Sequence, residues 1–74
     1  MDLLSAREGQ SYIIKQIQTG DGELEAFLFT LGCYSGEPIT VIARRFGGCT
    51  VSIKDGRYYM DRRLAQNIQV EEAE

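Results

Sequence analysis

The fold is decided by residues 39–60, which read ITVIARRFGGCTVSIKDGRYYM. The run Ile39–Arg45 is rich in β-branched residues, and Cys49–Lys54 alternates apolar with polar residues, which is the period of a half-buried β-strand. Glycine-containing breaks at Phe46-Gly47-Gly48 and Asp55-Gly56 separate these runs. The stretch therefore predicts a meander of three antiparallel strands, the third beginning after the second break.

The register of the first hairpin depends on the length of its loop. A two-residue loop at Gly47-Gly48 would place Arg44 beside Val51 on the core face. A three-residue loop, Phe46-Gly47-Gly48, aligns apolar residues across the strands, with the pairs Arg45–Cys49, Ala43–Val51 and Val41–Ile53. We predict the three-residue loop, with a glycine in the left-handed conformation at its end.

The second hairpin is predicted to turn at Asp55-Gly56, a dipeptide typical of two-residue β-turns. This turn pairs Ile53 with Tyr58 and Val51 with Met60, all facing inward, and sets Lys54 opposite Arg57 on the outer face. Tyr59 then points outward.

The first half of the chain predicts one strand and one helix. In the strand Tyr12–Gln18, Tyr12 and Ile14 share a face but Ile17 does not, so either both faces are covered or a bulge follows Ile14. The helix is predicted over Gly22–Leu31, with Asp21 as N-cap and Gly32 at the C-cap. Its apolar stripe is predicted to face the core and consists of Leu24, Phe27, Leu28 and Leu31.

The end of the chain predicts a short helical turn and a last strand. Asp61 can cap a turn over Arg62–Ala65, and the strand follows at Asn67–Val70, before an acidic, frayed tail at Glu71–Glu74. Leu3 and Leu4 can seal one end of the core. The expected fold is therefore mainly β. It is one domain over residues 1–74, a small SH3-like, five-stranded, partly open barrel with one inserted α-helix and a short helical turn before the last strand.

Composition and motifs argue against several classes of function. The chain has 74 residues, a formal net charge of −3 and no histidine. This balance disfavours nucleic-acid binding, and no apolar run is long enough for direct membrane insertion. The N-terminus does not read as a signal peptide, so we expect a cytoplasmic protein. No paired acids and no nucleophile with an adjacent base stand out, so we expect no enzymatic activity.

In residues 27–42, FLFTLGCYSGEPITVI, a predicted helix ends in Leu-Gly and a glycine four positions later opens an aliphatic strand. This arrangement is similar to the central motif of the ferrous iron transport protein A (FeoA) family. Residues 48–58, GCTVSIKDGRY, resemble its hairpin. The opening and closing segments are matched by Gly9, Ile14, Ile17, Leu64-Ala65, Ile68 and Val70.

The resemblance implies an SH3-like barrel that serves ferrous iron uptake. It implies a cytosolic accessory protein that binds the cytosolic part of a membrane iron transporter with a GTPase domain (FeoB-like), and that meets the membrane through this partner. Related domains lie at the C-terminus of iron-dependent repressors. The alternative function is therefore a regulatory module that responds to transition metals. A homo-oligomer also remains open.

Two sets of residues are candidates for the site. Tyrosine and arginine are enriched at interface hot spots, and a basic face can orient an acidic partner. The candidates for partner binding are Phe29, Tyr34, Arg44, Arg45, Arg57 and Tyr59. Cys33 and Cys49 are interpreted as small buried residues. A transition metal would need more donors than these two thiols, and a nearby acid such as Glu37 or a second subunit could supply them.

Overall fold

A computed structural model describes residues 1–73. It contains five strands, two α-helices and a short 3-10 helix near the N-terminus. The elements in chain order are the 3-10 helix Leu3–Ser5, β1 (Ser11–Ile17), α1 (Gly22–Thr30), β2 (Pro38–Arg45), β3 (Gly48–Ile53), β4 (Gly56–Met60), α2 (Arg62–Ala65) and β5 (Ile68–Glu72). This mainly β order, with one inserted helix and a helical turn before the last strand, confirms the predicted fold class.

The five strands form one antiparallel sheet in the order β4-β3-β2-β1-β5. Every strand contributes to one hydrophobic core, which a flat sheet could not enclose, so the sheet curls into a partly open barrel. The buried side chains from the strands are Tyr12, Ile14, Ile39, Val41, Cys49, Val51, Ile53, Met60, Ile68 and Val70. Leu3 is fully buried and Leu4 partly, as expected of residues that seal one end of the core. None of the helices in residues 1–73 is long and apolar enough to cross a membrane.

Strand β1 changes phase after Ile14, as its sequence pattern predicts. The register with β5 shifts between Ile14 and Gln16, which is the signature of a bulge. Tyr12 and Ile14 are buried before the bulge, whereas Ile17 is partly buried after it.

The predicted loop of the first hairpin is wrong. Arg45 pairs with Gly48 and Arg44 with Cys49, so the loop consists of Phe46 and Gly47 alone. Both residues have positive φ, 56° and 80°, as a two-residue type I′ turn requires. A bulge between Val41 and Ala43 then shifts the pairing so that Val41 lies opposite Val51. Apolar residues are therefore aligned across the two strands by a bulge and not by a longer loop.

The second hairpin also turns one position earlier than predicted, at Lys54-Asp55. Ile53 pairs with Gly56, Ser52 with Arg57 and Val51 with Tyr58, so Lys54 does not face Arg57. Because the pairing is displaced by two residues, the inward and outward faces stay as predicted. Gly56 is needed for packing here: a Cβ at this position would lie 2.1 Å from the Tyr58 hydroxyl oxygen.

Helix α1 begins as predicted but is less buried than predicted. The Asp21 carboxylate accepts hydrogen bonds from the backbone N–H groups of Glu23 and Leu24 at 3.0 and 3.1 Å. Within the expected core stripe only Leu28 is fully buried, and Phe27 is 58% exposed. Leu24 and Leu31 are partly buried against the core, so three of the four stripe residues contact the core and Phe27 lies on an open flank of the helix.

The closing segment is more ordered than predicted. Asp61 caps α2 by accepting the Leu64 N–H at 2.9 Å, as expected. Strand β5 continues to Glu72, however, because Glu71 and Glu72 pair with Ile13 and Tyr12 of β1. The predicted frayed tail is therefore wrong at these two residues, and Glu74 lies outside the described residues.

Candidate protein-binding surface

An apolar groove separates α1 from β4. It has a volume of about 390 Å³ and is open to solvent. The apolar stripe of the helix forms one wall, and strand β4 and α2 supply the opposite wall. The lining residues are Leu24, Phe27, Leu28, Leu31, Arg57, Tyr58, Tyr59, Met60 and Leu64. A mostly apolar recess with few polar groups at its edge is the usual form of a binding pocket.

Tyr59 connects this groove to the β2–β3 turn. Its ring is 48% exposed, which agrees with the predicted outward direction. Its hydroxyl donates to the Arg45 carbonyl at 2.9 Å and lies 3.5 Å from the Phe46 carbonyl. The hydroxyl therefore ties the turn to strand β4. Arg45, Arg57 and Tyr59, three of the six predicted partner-binding residues, lie along this side of the molecule.

Phe29 and Tyr34 form a second aromatic surface. Their rings stack with centroids 4.6 Å apart, and Phe29 is 62% exposed. The Lys54 ammonium lies 5.8 Å from the Tyr34 ring and 2.5 Å from a Glu37 carboxylate oxygen. That hydrogen bond and the Glu37 charge raise the pKa of Lys54. A shallow recess of about 460 Å³ adjoins this cluster.

Arg44, also predicted to bind a partner, is engaged inside the fold. Its guanidinium donates to the Ala6 carbonyl at 2.5 Å, to the Leu3 carbonyl at 3.3 Å and to the Leu4 carbonyl. Its backbone N–H donates to the Glu8 carboxylate at 2.7 Å. Arg44 therefore fastens the N-terminal segment to β2.

The three metal candidates do not form a metal site. Cys33 and Cys49 are free, buried thiols, and Glu37 is paired with Lys54. Burial raises the pKa of Cys33 to about 11, and burial also raises that of Cys49 against the opposing charge of Arg44. Metals bind the thiolate, which both environments disfavour. Residues 1–73 hold no group of three or more histidine, cysteine, aspartate or glutamate side chains placed to hold a metal ion.

Two exposed aromatic residues were missed by the sequence analysis. Phe27 fits the apolar stripe of the helix, and the stripe predicts that it lies in the core. The stripe carries no information on the distance between the helix and the sheet, which decides whether each side chain reaches the core. Phe46 was treated as part of a glycine turn, yet its side chain is 93% exposed. A large apolar residue inside a predicted turn was the signal that could have identified it.

The structure defines a small, mainly β domain whose five antiparallel strands form one sheet. A family model for the FeoA domain matches residues 1–72. The chain therefore belongs to the FeoA family, which is related to iron uptake.

Three known proteins are similar to this chain in sequence or in structure. A Methanocaldococcus jannaschii protein named for Fe(2+) transport protein A is 35% identical over 72 residues, which cover 97% of this chain and 87% of that protein. The zinc complex of Stenotrophomonas maltophilia FeoA, described as a prokaryotic SH3 domain protein, matches with a TM-score of 0.80 and 21% identity over 96% of this chain and 89% of the other. A manganese-dependent transcriptional repressor matches with a TM-score of 0.86 and 23% identity. That match covers 99% of this chain but 41% of the repressor. The two structural likenesses support the SH3-like fold alone.

Proposed function

We propose that this chain is a cytosolic accessory protein of ferrous iron uptake. It binds the cytosolic part of a membrane iron transporter with a GTPase domain, of the FeoB type, and modulates the assembly or activity of that transporter. The observation that carries the proposal is the FeoA family match over residues 1–72. In this proposal the protein reaches the membrane only through its partner.

The groove between α1 and β4 is the proposed docking surface. Its wall includes Phe27 and Tyr59, which are 58% and 48% exposed, and Arg57 stands at its edge. Aromatic residues and arginine carry much of the binding energy at protein interfaces. Arg45 and Arg57 on the same side of the molecule favour an acidic partner surface, because complementary charge steers and orients association.

The binding test compares two phenylalanines on the same helix. Phe27 lines the groove, whereas Phe29 stacks on Tyr34, and the two are similarly exposed at 58% and 62%. We expect the purified cytosolic GTPase region to bind the unmodified chain in calorimetry. Phe27→Ser should weaken this binding by at least about tenfold, as for a hot-spot residue, and Phe29→Ser should change it little.

The outcomes separate the surface from the function. If Phe29→Ser alone weakens binding, the docking surface is the Phe29–Tyr34 cluster and the proposed function stands. If the unmodified chain does not bind and a deletion strain takes up ferrous iron normally, the proposed function is refuted. A change in the GTP hydrolysis rate on binding would identify modulation of nucleotide turnover.

The competing function is a metal-responsive regulatory module. It requires a ligand set, and residues 1–73 hold no group of three or more histidine, cysteine, aspartate or glutamate side chains placed to hold a metal ion. Titration with ferrous iron or zinc, followed by calorimetry, distinguishes the two functions. We expect no tight stoichiometric binding to the chain alone. Tight binding that Cys33→Ser abolishes would favour the regulatory module.

A further inference from the structure

Phe46 stands at the tip of the β2–β3 turn with 93% of its side chain exposed, more than any other large apolar residue in the described chain. Exposed apolar residues are common on folded proteins, so exposure alone does not mark a site. Phe46 belongs to a two-residue loop, where a polar residue would serve the fold equally well.

The backbone of Phe46 makes its identity more unusual. Its φ of 56° lies in the left-handed region, which Asn, Asp and Gly adopt readily and an aromatic residue does not. The fold therefore bears a conformational cost at this position and buries almost none of the ring in return. Residues that break a local rule without a compensating gain in the fold concentrate at functional sites.

The turn is held in one geometry. The Tyr59 hydroxyl donates to the Arg45 carbonyl at 2.9 Å, and the loop closes a strand pair through Arg45 and Gly48. A partner thus meets a turn whose backbone is preorganised, which lowers the entropic cost of binding.

The charge beside Phe46 indicates what kind of surface fits it. The Arg45 side chain is exposed and makes no hydrogen bond or ion pair within residues 1–73. The neighbouring Arg44 is taken up by the N-terminal carbonyls. One available guanidinium beside one aromatic ring is complementary to an apolar pocket with carboxylates on its rim.

We infer that Phe46 and Arg45 form a second docking element, in which the ring enters an apolar pocket on a protein partner and the guanidinium pairs with a carboxylate at the rim. The inference rests on the proposed function, because the partner is the cytosolic region of the same transporter. A protein is favoured over a lipid surface since the net charge of −3 opposes an anionic bilayer and the turn has a fixed shape.

This element and the α1–β4 groove lie on either side of Tyr59, which lines the groove and holds the turn. Two contacts on one rigid domain act together, since the first raises the effective concentration of the second. Loss of either should therefore weaken binding without abolishing it.

The test exploits the conflict between stability and binding at this position. Phe46→Asn removes the ring and places a residue suited to the left-handed conformation. We expect its melting temperature to rise by about 3–6 °C and its affinity for the GTPase region to fall by at least about tenfold. Phe46→Leu should keep part of the affinity. The matched control, Gly47→Asn, alters the same turn at a φ of 80° but keeps the ring, and should bind like the unmodified chain.

Each other result overturns the inference in a recognisable way. If the unmodified chain binds and Phe46→Asn binds equally well, the docking element is refuted and the proposed function stands. If the unmodified chain does not bind, this assignment of the partner is refuted, and the proposed function is refuted as well when a deletion strain takes up ferrous iron normally. If Phe46→Asn instead loses sedimentation with phosphatidylglycerol vesicles while transporter binding is unchanged, the ring contacts lipid and the inference is wrong.

Discussion

Replacing Arg44 with alanine should destabilise the domain far more than replacing its neighbour Arg45. The Arg44 guanidinium donates to three carbonyls of the N-terminal segment, at 2.5 Å for Ala6 and 3.3 Å for Leu3, with Leu4 as the third. These bonds hold Leu3, which is 0% exposed, against the end of the core.

The size of the effect follows from the number and exposure of these bonds. A hydrogen bond from a charged donor contributes about 1.5–3 kcal/mol when it is shielded from water. Arg44 itself is exposed, so we count the three bonds together as one shielded bond, or about 2 kcal/mol. For a domain of this size, each kcal/mol lowers the melting temperature by roughly 4–8 °C, so Arg44→Ala should lower it by about 8–16 °C.

Thermal unfolding followed by circular dichroism measures this loss. Arg45→Ala is the matched control, because it removes the same charge one residue away and should stay within about 0.5 kcal/mol of the unmodified chain. Arg44→Lys keeps the charge but cannot reach several carbonyls with one planar group, so its stability should be intermediate. Equal melting temperatures for Arg44→Ala and Arg45→Ala would refute the reasoning.

Three further predictions test the packing and the titrating groups. Gly48→Ala should unfold the domain or lower its melting temperature severely, since a Cβ there would lie 2.2 Å from a backbone carbonyl oxygen, whereas Gly22→Ala has nothing within 4 Å and should be neutral or slightly stabilising in the same scan. Burial raises the pKa of Cys33 from 9.0 to about 11, so the buried, protonated thiol contributes its full stability below pH 9 and loses this contribution as the pH rises toward 11. The free energy of unfolding measured in urea should therefore fall between these two pH values, and it should fall less in Cys33→Ala. Glu37→Gln should lower the pKa of Lys54, which an NMR titration of the lysine side chain would detect, and an unchanged value would contradict the assigned hydrogen bond.

The strands and their faces could be predicted because alternation of apolar residues reports which side of a strand is buried. The register of the second hairpin could not, because a displacement of two residues leaves every side chain on the same face. At the second hairpin the pairing Val51–Tyr58 replaces the predicted Val51–Met60, and both pairs are apolar. In the observed register Gly56 lies against the Tyr58 side chain, where a Cβ would be 2.1 Å from the hydroxyl oxygen. The hydrophobic pattern carries no record of that contact.

The candidate site could be predicted only in part, for related reasons. Tyr59 was correctly expected to face outward, since strand alternation fixes its side. The role of Arg44 was not predictable, because its acceptors are backbone carbonyls and these have no signature in the sequence. The exposure of Phe27 depends on how far α1 stands off the sheet, which a helical stripe does not encode.

Lys54 and Phe46 are the two residues other than glycine that adopt positive φ, at 50° and 56° within residues 1–73, and comparing them separates structure from function. The Lys54 side chain makes compensating contacts within the fold, because its ammonium contacts Glu37 and approaches the Tyr34 ring. Its aliphatic chain also covers Gly32, and a Cβ at Gly32 would lie 2.8 Å from the Lys54 Cε. The strained turn at Lys54 thus has a structural explanation. Phe46 occupies the same region of backbone space with its ring 93% exposed, so the fold offers no equivalent gain. The backbone cost of a positive φ is thus compensated within the domain at Lys54 but not at Phe46. This difference is the physical reason to expect a partner at the tip of the β2–β3 turn.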